Sequence, residues 1–146
     1  MDCKAGYYCP SGTRYEKQHP CPRGYYSTNT GLTHSKQCWH CGIGKYCPSF
    51  GMGAALPCPA GWYNNIVTDA TECSVCPSGY YCEAPDFTDA TLAKKINPQL
   101  CPVGTYSSTG KTKQDCTTTS DTDCCLYCPI GSYCPYSGTT EAQMIA

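Results

Sequence analysis

The chain has 146 residues, a formal net charge of -1, 16 Cys, 13 Tyr and only 15 Leu, Ile, Val and Phe together. So small an aliphatic share excludes a fold held by a conventional core, and near-neutral charge with scattered Lys and Arg excludes a nucleic-acid surface. A chain this rich in Tyr and this low in charge is not a disordered one either, and its Cys density marks a disulfide scaffold made in an oxidising compartment, secreted, extracellular or on a cell surface.

One unit, Cys-x-x-Gly-x-Tyr, recurs with its Cys at 3, 21, 41, 58, 76, 101 and 128. Gly6, Gly24, Gly44, Gly61, Gly79, Gly104 and Gly131 are therefore equivalent, as are Tyr8, Tyr26, Tyr46, Tyr63, Tyr81, Tyr106 and Tyr133. An internal repeat of this kind decides the architecture. Glycine at a fixed place before Tyr predicts a turn at positive φ, and Tyr begins a short extended stretch with its ring over a bridge. Pro directly after Cys, as at Pro22, Pro59 and Pro102, fixes φ where the chain leaves each bridge.

In chain order, residues 1–20 are a partial repeat holding Cys3 and Cys9. A full repeat spans 21–57 with Cys21, Cys38, Cys41 and Cys47, and another spans 58–100 with Cys58, Cys73, Cys76 and Cys82. The last spans 101–138, with Cys101, Cys116, Cys124, Cys125, Cys128 and Cys134, and an unframed tail covers 139–146. Two inserts break the rhythm. In 83–100, Asp86 and Asp89 precede Lys94, Lys95, Asn97 and Pro98, which predicts one short capped helix near 86–96. The second, 116–124, is a Thr-rich loop. The expected fold class is small, disulfide-rich and mostly irregular β, an elongated tandem array of short β-hairpin modules with little helix.

No apolar run reaches membrane-spanning length, and no charged and apolar leader precedes Cys3. Because the first unit starts half way through a repeat, we expect an excerpt from a longer array rather than a mature product.

Two pairings of the cysteines are open. One closes each loop on itself: Cys3–Cys9, Cys21–Cys38, Cys41–Cys47, Cys58–Cys73, Cys76–Cys82 and Cys128–Cys134, with Cys116–Cys124 nested in Cys101–Cys125 because a Cys124–Cys125 bridge is strained. The rival interleaves them within each repeat, first with third and second with fourth. We prefer the first, and sequence alone does not choose between them.

The pattern C-P-x-G-x-Y-S…C-x-x-C-P-x-G-x-Y-C-P-x-G resembles the ephrin-receptor-like cysteine-rich repeat, within the wider growth-factor-receptor and tumour-necrosis-factor-receptor cysteine-rich group. The resemblance covers residues 3–138 and also fits long arrays in large extracellular proteins of protists, ciliates especially. It implies stacked modules that act as spacers, adhesion surfaces or ligand-binding stalks, and it brings no catalytic residue. The two inserts depart from the pattern.

Cys38-Trp39-His40-Cys41 has the spacing of a thiol–disulfide exchange motif, but its Cys occupy framework positions repeated at Cys73–Cys76 and Cys125–Cys128. Zinc ribbons use similar pairs; the Gly-x-Tyr-Cys filling and a Cys count far beyond four ligands weigh against metal. His19, His34 and His40 have no recognisable Ser or Asp partner motif and are expected to be solvated loop residues. Hence no enzyme, catalytic residue, metal or cofactor is expected. No Asn-x-Ser/Thr sequon is present, whereas Thr117, Thr118, Thr119 and Ser120 are candidate O-glycosylation sites. Phe87, Leu92 and Ile96 in the first insert, with Tyr25, Trp62 and Tyr80 from the paired aromatics, are candidate interchain contacts. The expected function is an extracellular structural protein that assembles with copies of itself into a filament or coat. The alternative is a receptor or adhesion module binding a protein ligand.

Overall fold

A computed structural model of the chain describes residues 2–87, 96–116 and 121–145. It is built of small antiparallel hairpins with almost no helix, as the composition predicts. Two compact units divide the chain: Met1–Pro57 with Asn64–Cys73, and Cys58–Tyr63 with Ser74–Ala146. In the first, strand β1 (Tyr7–Tyr8) pairs with β2 (His19–Pro20), β3 (Tyr25–Tyr26) with β4 (Trp39–His40), and β5 (Lys45–Tyr46) with β6 (Leu56–Pro57). In the second, β7 (Trp62–Tyr63) pairs with β8 (Ser74–Val75) and β9 (Tyr80–Tyr81) with β10 (Gln99–Leu100). There β11 (Thr105–Ser107) lies between antiparallel β12 (Leu126–Tyr127) and parallel β13 (Thr139–Thr140).

Each hairpin starts from the same turn. The residue after glycine donates its N–H to the carbonyl three positions back: Tyr25 to Pro22 at 3.1 Å, Trp62 to Pro59 at 3.1 Å, Tyr80 to Pro77 at 3.3 Å. Glycine is then the third residue of a type II turn, where φ must be positive, and the seven repeat glycines have φ of 73° to 90°. The sequence expectation for glycine holds on this ground.

Paired strands of two residues are not stable alone, so the bridges carry the fold. Cys3–Cys9, Cys21–Cys38, Cys41–Cys47, Cys76–Cys82, Cys101–Cys125, Cys116–Cys124 and Cys128–Cys134 are joined. Cys58 and Cys73 are disulfide-bonded as well, and no cysteine is free. The loop-closing pairing is the one found, with the last two long bridges nested. Sulfur also makes the core: among the described residues the buried apolar side chains are twelve Cys with Leu32, Ala70 and Ile96. Tyr8 and Tyr25 pack against Cys21, Leu32 and Cys38. Tyr25 thus covers its own bridge, while Tyr8 covers that of the next motif.

Successive motifs are joined by a grip that repeats along the chain. The glycine of one motif donates its N–H to the carbonyl just after the Tyr of the next: Gly6 to Ser27, Gly24 to Cys47, Gly44 to Asn64, Gly61 to Cys82, Gly79 to Ser107 and Gly104 to Cys134, at 2.7–3.2 Å. The carbonyl of the same glycine accepts from the next motif's first Cys at Gly6–Cys21, Gly24–Cys41, Gly61–Cys76, Gly79–Cys101 and Gly104–Cys128, at 2.8–3.1 Å. A loop glycine then donates to the first Cys of the preceding motif, as Gly31 does to Cys3, Gly51 to Cys21, Gly110 to Cys76 and Gly138 to Cys101. Backbone crowds so closely that a Cβ on Gly79 would lie 2.2 Å from the Gly138 carbonyl oxygen.

One expectation changes here. The tail expected at 139–146 is framed over its described residues 139–145, because Thr139 and Thr140 pair with Tyr106 and Ser107 and Ile145 exchanges backbone bonds with Tyr133 at 2.7 and 3.1 Å. Without a Cys the segment lacks the mark by which the other strands are recognised, and its pairing is made by main chain alone. The predicted helix near 86–96 falls almost wholly on 88–95, outside the described residues. Among those described, helix is limited to single 3₁₀ turns at Ser35–Gln37 and Glu141–Gln143.

Candidate functional site

The candidate contact residues are placed differently from one another. Trp62 is 44% exposed and lies opposite Val75, 43% exposed, so β7 and β8 present a bare apolar pair. Tyr25 and Tyr80 are half-buried, with one face against the fold. Phe87 is exposed, whereas Ile96 is buried and its side chain belongs to the interior rather than to a contact surface. Leu92 and the O-glycosylation candidates Thr117, Thr118, Thr119 and Ser120 lie outside the described residues.

Exposed apolar residues that the sequence reading did not single out include Tyr15, Phe50, Ile66 and Val67, and in the last repeat Val103, Tyr127, Ile130 and Tyr136, with Ile130 fully exposed. A signal for two of them was available. The residue before each repeat glycine is the second position of the type II turn and points away from the hairpin. It is Ala5, Arg23, Ala60 or Ser78 in four motifs but apolar in three, Ile43, which is half-buried, and Val103 and Ile130 in the last two, which are exposed.

A polar cluster sits in the first unit. Tyr25 and His40 are cross-strand partners in β3 and β4, with ring centroids 4.6 Å apart. His40 Nδ1 lies 2.7 Å from Asp69 Oδ1, and the Tyr25 hydroxyl donates to the same carboxylate. These bonds from Tyr25 and His40 hold the Asp69 carboxyl below the usual carboxylate range, and accepting its hydrogen bond raises the Tyr25 phenol. His40 is therefore not a plain solvated residue. Its partner is 29 positions away and is brought in by the grip between motifs, which no local motif announces. His19 is likewise engaged, stacked on Tyr8 with centroids 5.5 Å apart.

Asp69 is held there at a conformational cost. Its φ is 52°, the one positive value among the described non-glycine residues, and it occupies the place that Gly51, Gly110 and Gly138 take elsewhere. Where Gly51 backs Gly6 and Gly138 backs Gly79, Asp69 backs Gly24, its Cα 2.7 Å from where a Cβ on Gly24 would stand. A left-handed non-glycine residue persists only where its surroundings fix it. Here the carboxylate's two partners do so.

Beside this cluster is an open hollow of about 340 Å³ lined by Pro22, Tyr25, Ser35, Lys36, Cys38 and His40. Among the described residues no group of three His, Cys, Asp or Glu is placed to hold a metal ion, and no helix is long and apolar enough to cross a membrane. Compared with models of protein families and with curated proteins, the chain matches none.

Proposed function

We propose that this chain is part of an extracellular structural protein, a disulfide-stapled repeat array that associates with copies of itself into a filament or surface coat. The observation that carries the reading is the recurrence of one backbone grip from motif to motif. Modules that contact only their neighbours add length without a growing core. Disulfides in place of buried hydrocarbon fit an oxidising, protease-rich exterior. Exposed Trp62, Tyr127 and Tyr136 supply contact surface. The likeness to ephrin-receptor-like repeats and to protist surface arrays belongs to this proposal, as do O-linked sugars on 117–120. Catalysis has no part in it.

Negative-stain microscopy of purified protein over rising concentration tests it: ordered polymers are expected, and monodisperse monomers at high concentration overturn it. A receptor or adhesion module is the second reading, favoured by the hollow beside Tyr25, His40 and Lys36. Alanine at Lys36 and His40 separates the two, since loss of a heterologous partner with polymers intact favours that reading.

A further inference from the structure

The repeats serve as controls for one another, and the junction at β3 and β4 departs from their pattern at two places that touch. Opposite the first strand residue after glycine the other hairpins carry Pro20, Pro57, Val75, Leu100 and Tyr127, whereas β4 has His40. Where other loops place Gly51, Gly110 and Gly138, the loop here has Asp69 at φ 52°. The two side chains meet at 2.7 Å. The grip forms elsewhere with neither residue, so folding alone does not ask for the pair, and a strained residue kept against its cost points to a site.

Beside the pair lies the open hollow, at about 340 Å³ room for one ring and its substituents rather than for a length of chain. Its lining sets a few polar groups around the apolar surface of Tyr25 and Pro22. Lys36 is exposed and has no ion pair among the described residues. Ser35 adds a hydroxyl that donates or accepts. Asp69 takes Nδ1 of His40, which in the neutral ring keeps the proton there and leaves Nε2 as an acceptor.

We infer that this hollow binds an acidic sugar, one ring carrying a carboxylate or sulfate group. The anionic group pairs with Lys36, because the Asp69 carboxylate on the far edge of His40 disfavours a second negative charge at that end. Ring hydroxyls donate to His40 Nε2 and bond Ser35, and the C–H face of the sugar lies on Tyr25. Asp69 is a positioning residue that acts through His40. A peptide fits less well, since an added strand needs a sheet edge to run along and β3 and β4 offer two residues each. The inference gives the receptor or adhesion reading a ligand class, and rests on that reading; it needs no polymer.

Calorimetric titration of the unaltered protein with trigalacturonate, a sulfated dextran oligosaccharide, a neutral dextran oligosaccharide and a glutamate-rich peptide tests it. At least one acidic saccharide is expected to bind at least about tenfold more tightly than the neutral one and the peptide, and the stronger of the two identifies the anionic group as carboxylate or sulfate. Lys36→Gln and Asp69→Gly are each expected to weaken that binding at least about tenfold. Asp69→Gly installs the residue that other loops carry and so relieves the backbone, and melting curves establish that both variants are folded. A purely structural role for Asp69 predicts a shifted melting curve with unchanged affinity, and that result overturns the inference. Failure of both acidic saccharides to bind, or equal binding of the neutral one, overturns it too. Tighter binding of the peptide, lost in Lys36→Gln, overturns the ligand class and spares the receptor reading.

Discussion

Asp69 shows how one side chain ties two repeats. Its carboxyl titrates below the ordinary range because Tyr25 and His40 bond the charged form, so between the unfolded and folded values the unfolded chain binds the proton more readily. The stability it contributes is complete above about pH 4, the ordinary carboxylate value, and is lost as pH falls through the lower folded value. Melting temperatures of the protein and of Asp69→Asn are expected to differ at neutral pH and to converge toward pH 2. Glycines give a second residue-scale test. Gly79→Ala combines left-handed strain with a collision against Gly138 and is expected to cost about 2–5 kcal/mol, while Gly12→Ala has strain alone and costs about 1–2 kcal/mol in the single chain. Denaturant titration with bridges intact measures both. The seven glycines are legible from their recurrence, but Asp69 is not: nothing local marks it as standing where other loops have Gly.

Among the elements, the hairpins were foreseeable in kind and their joints were not. Cys, Pro, Gly and Tyr fix a turn and a following strand through short-range sterics, so β3, β7 and β9 fall at the motif, each beginning directly after its glycine and one residue before the Tyr expected to open it. The pairing of Thr139–Thr140 with β11 depends on main chain that any residue supplies, and so left no mark in composition. Bridges differ in weight. Removing Cys21–Cys38 by paired Ala substitution is expected to cost about 3 kcal/mol from its longer loop, together with the packing of Leu32, Tyr8 and Tyr25. Removing Cys3–Cys9 is expected to cost about 2 kcal/mol. Comparing the two double variants by chemical unfolding checks the order.

For the whole molecule the consequence of a sulfur core is thermal. Unfolding exposes little aliphatic surface, so the heat capacity change should fall well below the roughly 12–15 cal/mol/K per residue of ordinary domains. Calorimetry with the bridges intact is expected to give less than about half that value, and reduction is expected to unfold both units at neutral pH without denaturant. A full-sized heat capacity change would mean that hydrocarbon, not sulfur, holds the fold. Candidate contacts were the least legible feature at this scale. The sequence names which residues are apolar, but whether Ile96 turns inward and Ile130 outward is decided by where the neighbouring turn places each Cβ.

The glycine grip also bears on how such a chain can change over generations. Five junctions use the same carbonyl and the same amide of the repeat glycine, so a duplicated stretch of whole motifs carries a matching left and right edge and can be spliced in at any of these joints. A cut inside a motif leaves an edge that fits nothing. Copy number is therefore free to drift while the breakpoints between copies are not, and length variants of this protein should differ by whole motifs.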